Sequence, residues 1–360
     1  MKNIIKTLIV MLTSISFLSA ANAGSLGVSG TAKATYNITS GYANQAQGVG
    51  ITNELNFTAS GELDNGYTWS YSMELDPADA STGGAATNDD TKLTLTTPQG
   101  TIGVFVLEGA LDVEDAASQS VYGRPTDIGD PSATVDNYTI DGYTNVQYHT
   151  PAGLLPLGIS AKIAYAPGLD GTNNSGNGAG AGSNTLVDTN TGSSATEYQI
   201  KAAPIDGLAI GASYLSFEDA GQTATSGAVQ QEPESGAVYG TYAFGATTVG
   251  YSRAWRAELL SSDGNDMGNV AKDYIQDNYS IAFNVNDDLS ISYEMEKSEK
   301  NLTGSAGANA AKVEQDSSAV QLAYSMGGMT VAVSRGNYDN VGYADGKDAE
   351  QTLLAFTMAF

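Results

Sequence analysis

The sequence predicts an all-β fold, a transmembrane antiparallel up-and-down barrel of about sixteen strands. Two observations carry this prediction. At the C-terminus, Leu354, Phe356, Met358 and Phe360 share one face of an extended strand, while small or polar residues share the other face. The same period of two recurs along the chain in segments of about ten residues, separated alternately by short turns and long polar loops.

Composition supports strands and excludes several other classes. Charged residues make up only 15% of the chain, and Gly and Tyr are abundant, at 42 and 20 residues. These values favour strands and turns over long solvated helices. Large apolar side chains on one strand face suit lipid outside and water inside, and the sheet must close because an open edge in hydrocarbon leaves backbone groups unsatisfied. The absence of Cys from the sequence excludes disulfides and thiolate metal sites.

The first residues predict a targeting segment. Lys2 and Lys6 precede an apolar run over residues 8–20, and Ala21-Asn22-Ala23 has the small-x-small pattern of a cleavage site. We therefore expect a cleaved signal peptide over residues 1–23 and one barrel domain over residues 24–360. The alternative, an uncleaved anchor, would need an apolar run of about 20 residues.

Each predicted strand follows from the same alternation. In the third, Tyr67, Trp69, Tyr71 and Met73 oppose Thr and Ser, and the aromatic end lies beside the tight turn at residues 64–66. The even number of strands puts both chain ends on one side, so we expect short periplasmic turns and long extracellular loops. The sixteen predicted strands cover residues 25–38, 51–63, 67–75, 90–97, 101–107, 143–150, 157–166, 196–203, 208–217, 236–244, 247–258, 273–285, 289–296, 317–326, 329–334 and 351–360.

The C-terminal strand that closes on Phe360, with Met358 and Phe356 on the same face, resembles the assembly signal of Gram-negative outer-membrane barrels. The whole chain resembles the general porins, which are sixteen-stranded trimeric diffusion channels, in an acidic alphaproteobacterial-type branch. This resemblance implies an outer-membrane homotrimer surrounded by lipid and lipopolysaccharide and inserted by the barrel-assembly machinery.

The third long loop, at about residues 109–142, is the strongest functional candidate. It is too long for a simple connection, and its apolar residues can anchor it on a wall. The resemblance implies that it folds into the lumen as a constriction, whereas the alternative is a solvated surface loop rich in aspartate. It combines one base, Arg124, with the acids Asp112, Glu114, Asp115, Asp127, Asp130, Asp136 and Asp141.

Bases on the predicted strands form a second candidate feature. Lys33, Lys92, Lys162 and Lys201 share the face of small polar neighbours, so we expect all four to point into the water-filled interior. One hypothesis is that they face the acidic loop and, together with Arg124, create a field across the constriction. The alternative is a set of ion pairs with Glu54, Glu74 or Glu197.

Three arginines, Arg253, Arg256 and Arg335, do not fit the alternation. Arg253 and Arg335 share the parity of outward-facing residues, which predicts either a β-bulge or a position at the level of the lipid headgroups.

The formal net charge is -25, and loss of Lys2 and Lys6 with the signal peptide would make it -27. A field of this sign repels nucleic acid and attracts cations. We therefore predict a passive, cation-preferring diffusion channel for small hydrophilic solutes and ions. The alternatives are a porin selective for one class of solute and a closed structural or adhesive barrel.

An enzyme is not predicted. The chain has one histidine, His149, which we expect near a periplasmic turn, and it lacks a Gly-x-Ser-x-Gly elbow and a His-Glu-x-x-His helix. No cofactor is predicted. Calcium stays open, because the acidic loops are rich in the oxygen ligands that this ion prefers.

Overall fold

The computed structural model describes residues 24–41, 46–76, 87–128, 134–169, 194–220, 229–261, 271–303 and 312–360. The predicted signal peptide, Asp130 and most of the polar loop after the seventh strand lie outside these residues. In the described part, sixteen strands form a closed antiparallel barrel, and the first strand pairs with the last to complete the ring.

All strands of the described part are numbered β1 to β18 in chain order. Their bounds are β1 Ser25–Gly41, β2 Ala46–Glu62, β3 Thr68–Asp76, β4 Thr87–Thr97, β5 Gly100–Val106, β6 Asn145–His149, β7 Ser160–Ala166, β8 Ser194–Ile205, β9 Leu208–Glu218, β10 Val229–Gln231, β11 Glu234–Phe244, β12 Thr247–Ala257, β13 Leu260–Ser261, β14 Ala271–Asn284, β15 Leu289–Leu302, β16 Lys312–Met326, β17 Met329–Asp339 and β18 Ala349–Ala359. No helix among the described residues has the length and apolar character needed to cross a membrane.

The side chains alternate along the strands as predicted: apolar side chains lie on the outer face of the barrel, and polar side chains lie on its inner face. On β3, Trp69 and Tyr71 lie on the outer face, whereas Ser70 and Ser72 face the interior and pair with inward-facing residues of β2 and β4. The sixteen predicted strands correspond one to one with the strands of the barrel. The fold prediction is therefore confirmed.

Strand ends at the long loops differ from the prediction. β15 continues to Leu302, β16 begins at Lys312, and β17 extends to Asp339. Outside the hydrocarbon the outer face need not be apolar, so the alternation that marks a strand disappears while the backbone ladder continues. The sequence also gave no sign of β10 and β13, which pair with each other outside the barrel.

The C-terminal residue extends the ladder between β1 and β18 that closes the barrel. The amide of Gly30 donates to the Phe360 carbonyl at 2.8 Å, and the Phe360 amide donates to the Gly30 carbonyl at 3.0 Å. A Cβ atom at Gly30 would lie 2.7 Å from the backbone carbonyl oxygen of Glu54 and 2.8 Å from the Phe360 ring, so a side chain at this position would displace the backbone of β2. The side chains of Phe356, Met358 and Phe360 are exposed on the outer face.

The two outward-facing arginines do not lie at bulges. The pairing of β12 and of β17 with their neighbours runs without a register shift, so the bulge interpretation is wrong. Arg253 forms an ion pair with Asp277 at 3.6 Å, and Arg335 pairs with Glu350 on the adjacent strand. Both arginines lie in the strand halves farther from the short turns, where charge is tolerated.

Candidate pore constriction

The segment that joins β5 to β6 is called the internal loop below, and its described residues, 107–128 and 134–144, lie inside the barrel. Its described residues hydrogen-bond to inward-facing side chains of strands across the wall from β8 to β18. On β12 the two limbs of the loop lie at different heights: Ser252 contacts the outgoing limb, and Arg256, nearer the long loops, contacts the returning limb. The internal loop therefore lies as a flat hairpin against the inner wall.

A buried glutamate on β8 holds the base of this hairpin. Glu197 accepts the backbone amide of Leu111 at 3.4 Å and that of Ile140 at 2.9 Å. Both limbs are thus tied to one carboxylate. A buried hydrogen bond contributes about 0.5–1.5 kcal/mol, and an unpaired buried amide costs about 1–3 kcal/mol, so the loss of this carboxyl group would leave two buried donors without a partner. Glu197 forms no ion pair with a lysine among the described residues, contrary to one of the predicted alternatives.

The middle of the outgoing limb is held by Glu294 on β15. This buried carboxylate accepts the hydroxyls of Ser118 and Ser120, both at 2.6 Å. Next to them, the Ser280 hydroxyl donates to the Ala117 carbonyl at 2.6 Å. A Cβ atom at Gly250 on β12 would lie 1.9 Å from that carbonyl oxygen, so the loop can approach the wall here only because Gly250 has no side chain.

Towards β16 to β18, amide and hydroxyl side chains continue the anchoring. Gln321 accepts the Tyr122 amide at 2.9 Å and donates to the Gly123 carbonyl at 2.6 Å. Tyr338 donates its hydroxyl to the Pro125 carbonyl at 2.8 Å. Buried backbone groups of the loop thereby find partners without forming a strand.

The returning limb is fixed by a cluster on β12. The guanidinium of Arg256 lies 3.8 Å from the centroid of the Tyr138 ring and donates to the Asp136 carbonyl at 2.7 Å. The Tyr138 hydroxyl donates a hydrogen bond to the Glu258 carboxylate at 2.6 Å. The Arg256 Nε forms an ion pair with the same carboxylate at 2.9 Å. A stacked arginine of this kind cannot be replaced by lysine without loss of geometry.

At the tip of the outgoing limb, Arg124 is only 5% exposed, and its Nε lies 2.7 Å from Glu296 of β15, which is 0% exposed. Thr126 donates its amide and hydroxyl to the same carboxylate at 3.1 Å and 2.6 Å. Burial lowers the pKa of Arg124, but the surrounding carboxylates, Glu296 foremost, outweigh it and raise the pKa, so the group stays charged.

Four acids of the internal loop surround the same guanidinium. Asp115 is in direct contact with Arg124, and Glu114, Asp127 and Asp136 each lie at 3.7 Å. Burial raises the pKa of Glu114 to about 8 and that of Asp127 to about 6, with Arg124 opposing both shifts. Burial likewise raises the pKa of Asp136.

The predicted acids of the constriction divide by exposure. Asp115, Asp127 and Asp136 are 64%, 44% and 60% exposed and face the open interior. Glu114 is buried, as is Arg124, so neither directs its charge into the gap as predicted. The reason is that the wall glutamates draw this part of the loop against the barrel.

Two further predicted acids have structural partners. Asp112 is half-buried and accepts the Ser213 hydroxyl at 2.9 Å and the Glu114 amide at 2.8 Å. Asp141 is half-buried beside Thr139, and burial raises its pKa.

The four predicted lysines all lie on inward-facing positions. Lys162 and Lys201 are diagonal neighbours on β7 and β8, because Lys162 pairs with Gln199 in the register. Lys33 places its Nζ 5.8 Å from the Tyr122 ring of the internal loop. Among the described residues, the only ion pair of these lysines joins Lys92 to Glu108 at 2.8 Å.

His149 also faces the interior, where its register partner is Lys162 and its Nε2 lies 2.8 Å from the Gln147 side-chain oxygen. Its ring lies 6.0 Å from that of the buried Phe105. Within the described ranges, no group of three or more His, Cys, Asp or Glu residues is placed to hold a metal ion.

The wall residues that anchor the loop were not identified from the sequence. Glu294 and Glu296 could have been found, because the alternation of Tyr293 and Met295 on the outer face places both acids inside. Gly250 is a glycine within a clear strand pattern, which signals a close backbone approach. Nothing in the sequence indicated which residues of the internal loop these three wall residues contact.

A closed sixteen-stranded barrel whose lumen holds an acid-bearing loop defines a membrane-spanning β-barrel with a narrowed interior. The model of the Gram-negative porin family matches residues 7–360, so the chain belongs to this family. It is accordingly an outer-membrane β-barrel protein. A search of curated protein sequences found no match.

Solved structures show the same fold at low sequence identity. A loop-deletion mutant of OmpT, an outer membrane protein of Vibrio cholerae, is 14% identical and aligns over 94% of this chain and 100% of that chain, with a TM-score of 0.65. The trimer form of OmpT is 14% identical and aligns over 94% of this chain and 100% of that chain, with a TM-score of 0.63. A mutant of Rh. blastica porin is 14% identical and aligns over 93% of this chain and 100% of that chain, with a TM-score of 0.56.

Proposed function

We propose that this porin is a passive, water-filled channel that prefers cations and admits small hydrophilic solutes, with no catalytic step and no cofactor. The observation that carries the proposal is the set of three exposed carboxylates, Asp115, Asp127 and Asp136, on a loop inside the barrel. In this proposal, permeating ions pass these carboxylates where the loop occupies part of the lumen.

Electrostatics support the preference for cations. Acids that line a narrow, low-dielectric passage concentrate counter-ions and repel ions of like charge. Glu114, with a pKa of about 8, is largely neutral at pH 7. Asp115, Asp127 and Asp136 of the loop, together with Glu296 of the wall, still outnumber the single guanidinium of Arg124, which leaves excess negative charge at this place. The formal charge of the whole chain has the same sign.

Inward-facing bases on the other part of the wall support a second aspect of the proposal. Lys162 and Lys201 point inward from β7 and β8, whereas the three exposed acids of the loop surround Arg124, which binds Glu296 of β15. A charge distribution of this kind produces a field across the gap. Such a field favours dipolar solutes over apolar ones.

The proposed assembly is a homotrimer, supported by the family and by the trimer form of OmpT among the similar structures. We also propose that the signal peptide is removed and that the barrel-assembly machinery recognises Phe356, Met358 and Phe360. Lipid and lipopolysaccharide would then contact the apolar outer face.

The test is conductance of the purified protein in planar bilayers under a salt gradient. We expect large, ohmic conductance and a reversal potential with the sign of cation preference. Saturable block by a single sugar, amino acid or organic ion would instead indicate a solute-selective porin. Absence of conductance would contradict the proposed function.

A further inference from the structure

Arg124 occupies a different place from an ordinary pore-lining base. Its guanidinium is covered by the internal loop on one side and by Glu296 of the wall on the other. The three exposed acids Asp115, Asp127 and Asp136 nevertheless all lie within ion-pair distance of it. One buried cation is therefore the common neighbour of every loop acid that the structure places in the gap.

The positive charge of Arg124 offsets the repulsion between the three exposed acids. Carboxylates that converge within a few ångströms repel one another, and an unsupported loop would relieve this repulsion by moving them apart. The rigid, planar guanidinium of Arg124 contacts Glu296 and Asp115 directly, and it attracts Asp127 and Asp136 as ion pairs at 3.7 Å, beyond hydrogen-bond length. A lysine, with one flexible ammonium group, cannot reproduce that geometry.

We propose that Arg124 is a positioning residue, which holds Asp115, Asp127 and Asp136 around the gap and so sets both the ion preference and the width of the channel. This inference rests on the proposed cation-preferring function. The positive charge of Arg124 alone would weaken the preference for cations, whereas in this inference Arg124 strengthens that preference by holding the acids in place.

Glu296 holds Arg124 against the barrel wall. It is fully buried on β15, and it binds the Nε of Arg124 together with the amide and hydroxyl of Thr126. These contacts fix the plane of the guanidinium relative to the wall. The returning limb is coupled to the same place, because the Asn137 amide donates to Glu114 at 2.9 Å and Glu114 lies beside Arg124.

The positioning role and a simple charge effect predict opposite results for Arg124→Gln. If Arg124 acted only through its positive charge, its removal would make the lumen more negative and raise the preference for cations. If it positions the acids, its removal lets them separate and the tip of the loop detach. Cation preference then falls and conductance rises, although a positive charge has been lost.

The experiment compares the reversal potential and single-channel conductance of the wild type, Arg124→Gln and Lys162→Gln. Lys162 also faces the interior but has no ion pair in the described residues, so Lys162→Gln measures the plain charge effect and should increase cation preference. We expect Arg124→Gln to shift the reversal potential the other way, towards zero, with a larger and noisier conductance. A shift in the same direction as that of Lys162→Gln would overturn the inference.

Two further variants remain informative if Arg124→Gln assembles poorly. Arg124→Lys retains the charge and should still lose cation preference, because one ammonium group cannot contact Glu296 of the wall and Asp115 of the loop together as the planar guanidinium does. Glu296→Gln retains the shape of the wall and should weaken the preference by loosening Arg124. If both variants kept the reversal potential of the wild type, the inference would be contradicted. If the wild type itself showed no cation preference, the proposed function would be contradicted instead.

Discussion

At the scale of single residues, burial controls when the acids of the internal loop are charged. Glu114 is almost completely enclosed, and Asp127 is partly covered by the wall; burial raises the pKa of Glu114 to about 8 and that of Asp127 to about 6. A carboxyl with a raised pKa is neutral below that value and gains its charge as the pH rises through it. The loop therefore gains negative charge across the neutral range.

This ionisation predicts a pH-dependent selectivity. The cation preference should increase as the pH rises through about 6, the pKa of Asp127, because Asp127 lies in the gap. The measurement is the reversal potential at a series of pH values. In Asp127→Asn that increase should be lost, whereas Asp287→Asn, in an exposed short turn, should retain it. An Asp127→Asn profile identical to the wild type would remove Asp127 from the selectivity mechanism.

The docking of the internal loop depends on pH in the opposite direction to the selectivity. Because burial raises the pKa of Glu114 from its ordinary value of 4.5 to about 8, the folded loop binds this proton more tightly than an unfolded chain does, so docking weakens progressively between about pH 4.5 and pH 8 and does not change further above that range. Channel noise in the wild type should therefore increase over that interval and level off above about pH 8. In Glu114→Gln, which cannot ionise, the noise recorded across the same pH range should stay constant.

Gly250 is a residue whose importance is steric. A methyl group there would lie 1.9 Å from the Ala117 carbonyl oxygen, which is closer than any real contact, so Gly250→Ala should push the middle of the loop away from the wall. We expect a changed single-channel conductance with normal assembly. Gly240→Ala on β11 is the matched control, since its Cβ would meet its nearest atom at 3.7 Å. Equal conductances of the two variants would argue against close docking at Gly250.

At the scale of elements, the internal loop is held by side chains of the wall rather than by a strand ladder. Glu294 alone accepts two serine hydroxyls, and hydrogen bonds to a charged acceptor contribute about 1.5–3 kcal/mol each. Several such anchors at separate places on the wall make the loop a fixed part of the pore.

Removal of one anchor should loosen the middle of the loop without unfolding the barrel. We expect Glu294→Ala to increase open-channel noise and to add brief partial closures in single-channel recordings. Glu299→Gln is the control, because Glu299 lies on the same strand but pairs with Lys312 on the outer face. Quiet recordings from Glu294→Ala would show that the remaining anchors suffice.

The elements differ in how far the sequence could predict them. The sixteen barrel strands were predictable because lipid on one side and water on the other impose a period of two on each of them. The contacts of the internal loop were not, since Arg124 and Glu296 are separated by 172 positions and only the closed barrel brings them together.

At the scale of the whole molecule, charge is distributed by face and by height. On the outer face, acids and bases pair between strands from β12 to β18 in the halves near the long loops, as in Lys297 with Asp316 at 3.6 Å. Exposed pairs of this type contribute little stability, so their role is to end the apolar band rather than to hold the barrel. The charges that bear on permeation are those inside.

The ring is completed where the C-terminus meets β1, which makes Phe360 a test of assembly. Phe360→Ser should lower the yield of assembled protein in outer membranes, measured by the shift in gel mobility between unheated and heated samples. Met326→Ser removes an exposed apolar side chain from the outer face at another short turn and should have a smaller effect. Equal yields would indicate that the terminal aromatic residue contributes only its lipid contact.

The most direct test of the account is the reversal potential of a variant in which Asp115, Asp127 and Asp136 are all changed to Asn. The account predicts loss of most of the cation preference. A control that neutralises three outward-facing acids, Glu299, Glu314 and Asp316, should keep the wild-type value. If the first variant kept the wild-type reversal potential, or if both variants shifted it equally, the internal loop would not determine the selectivity of the channel.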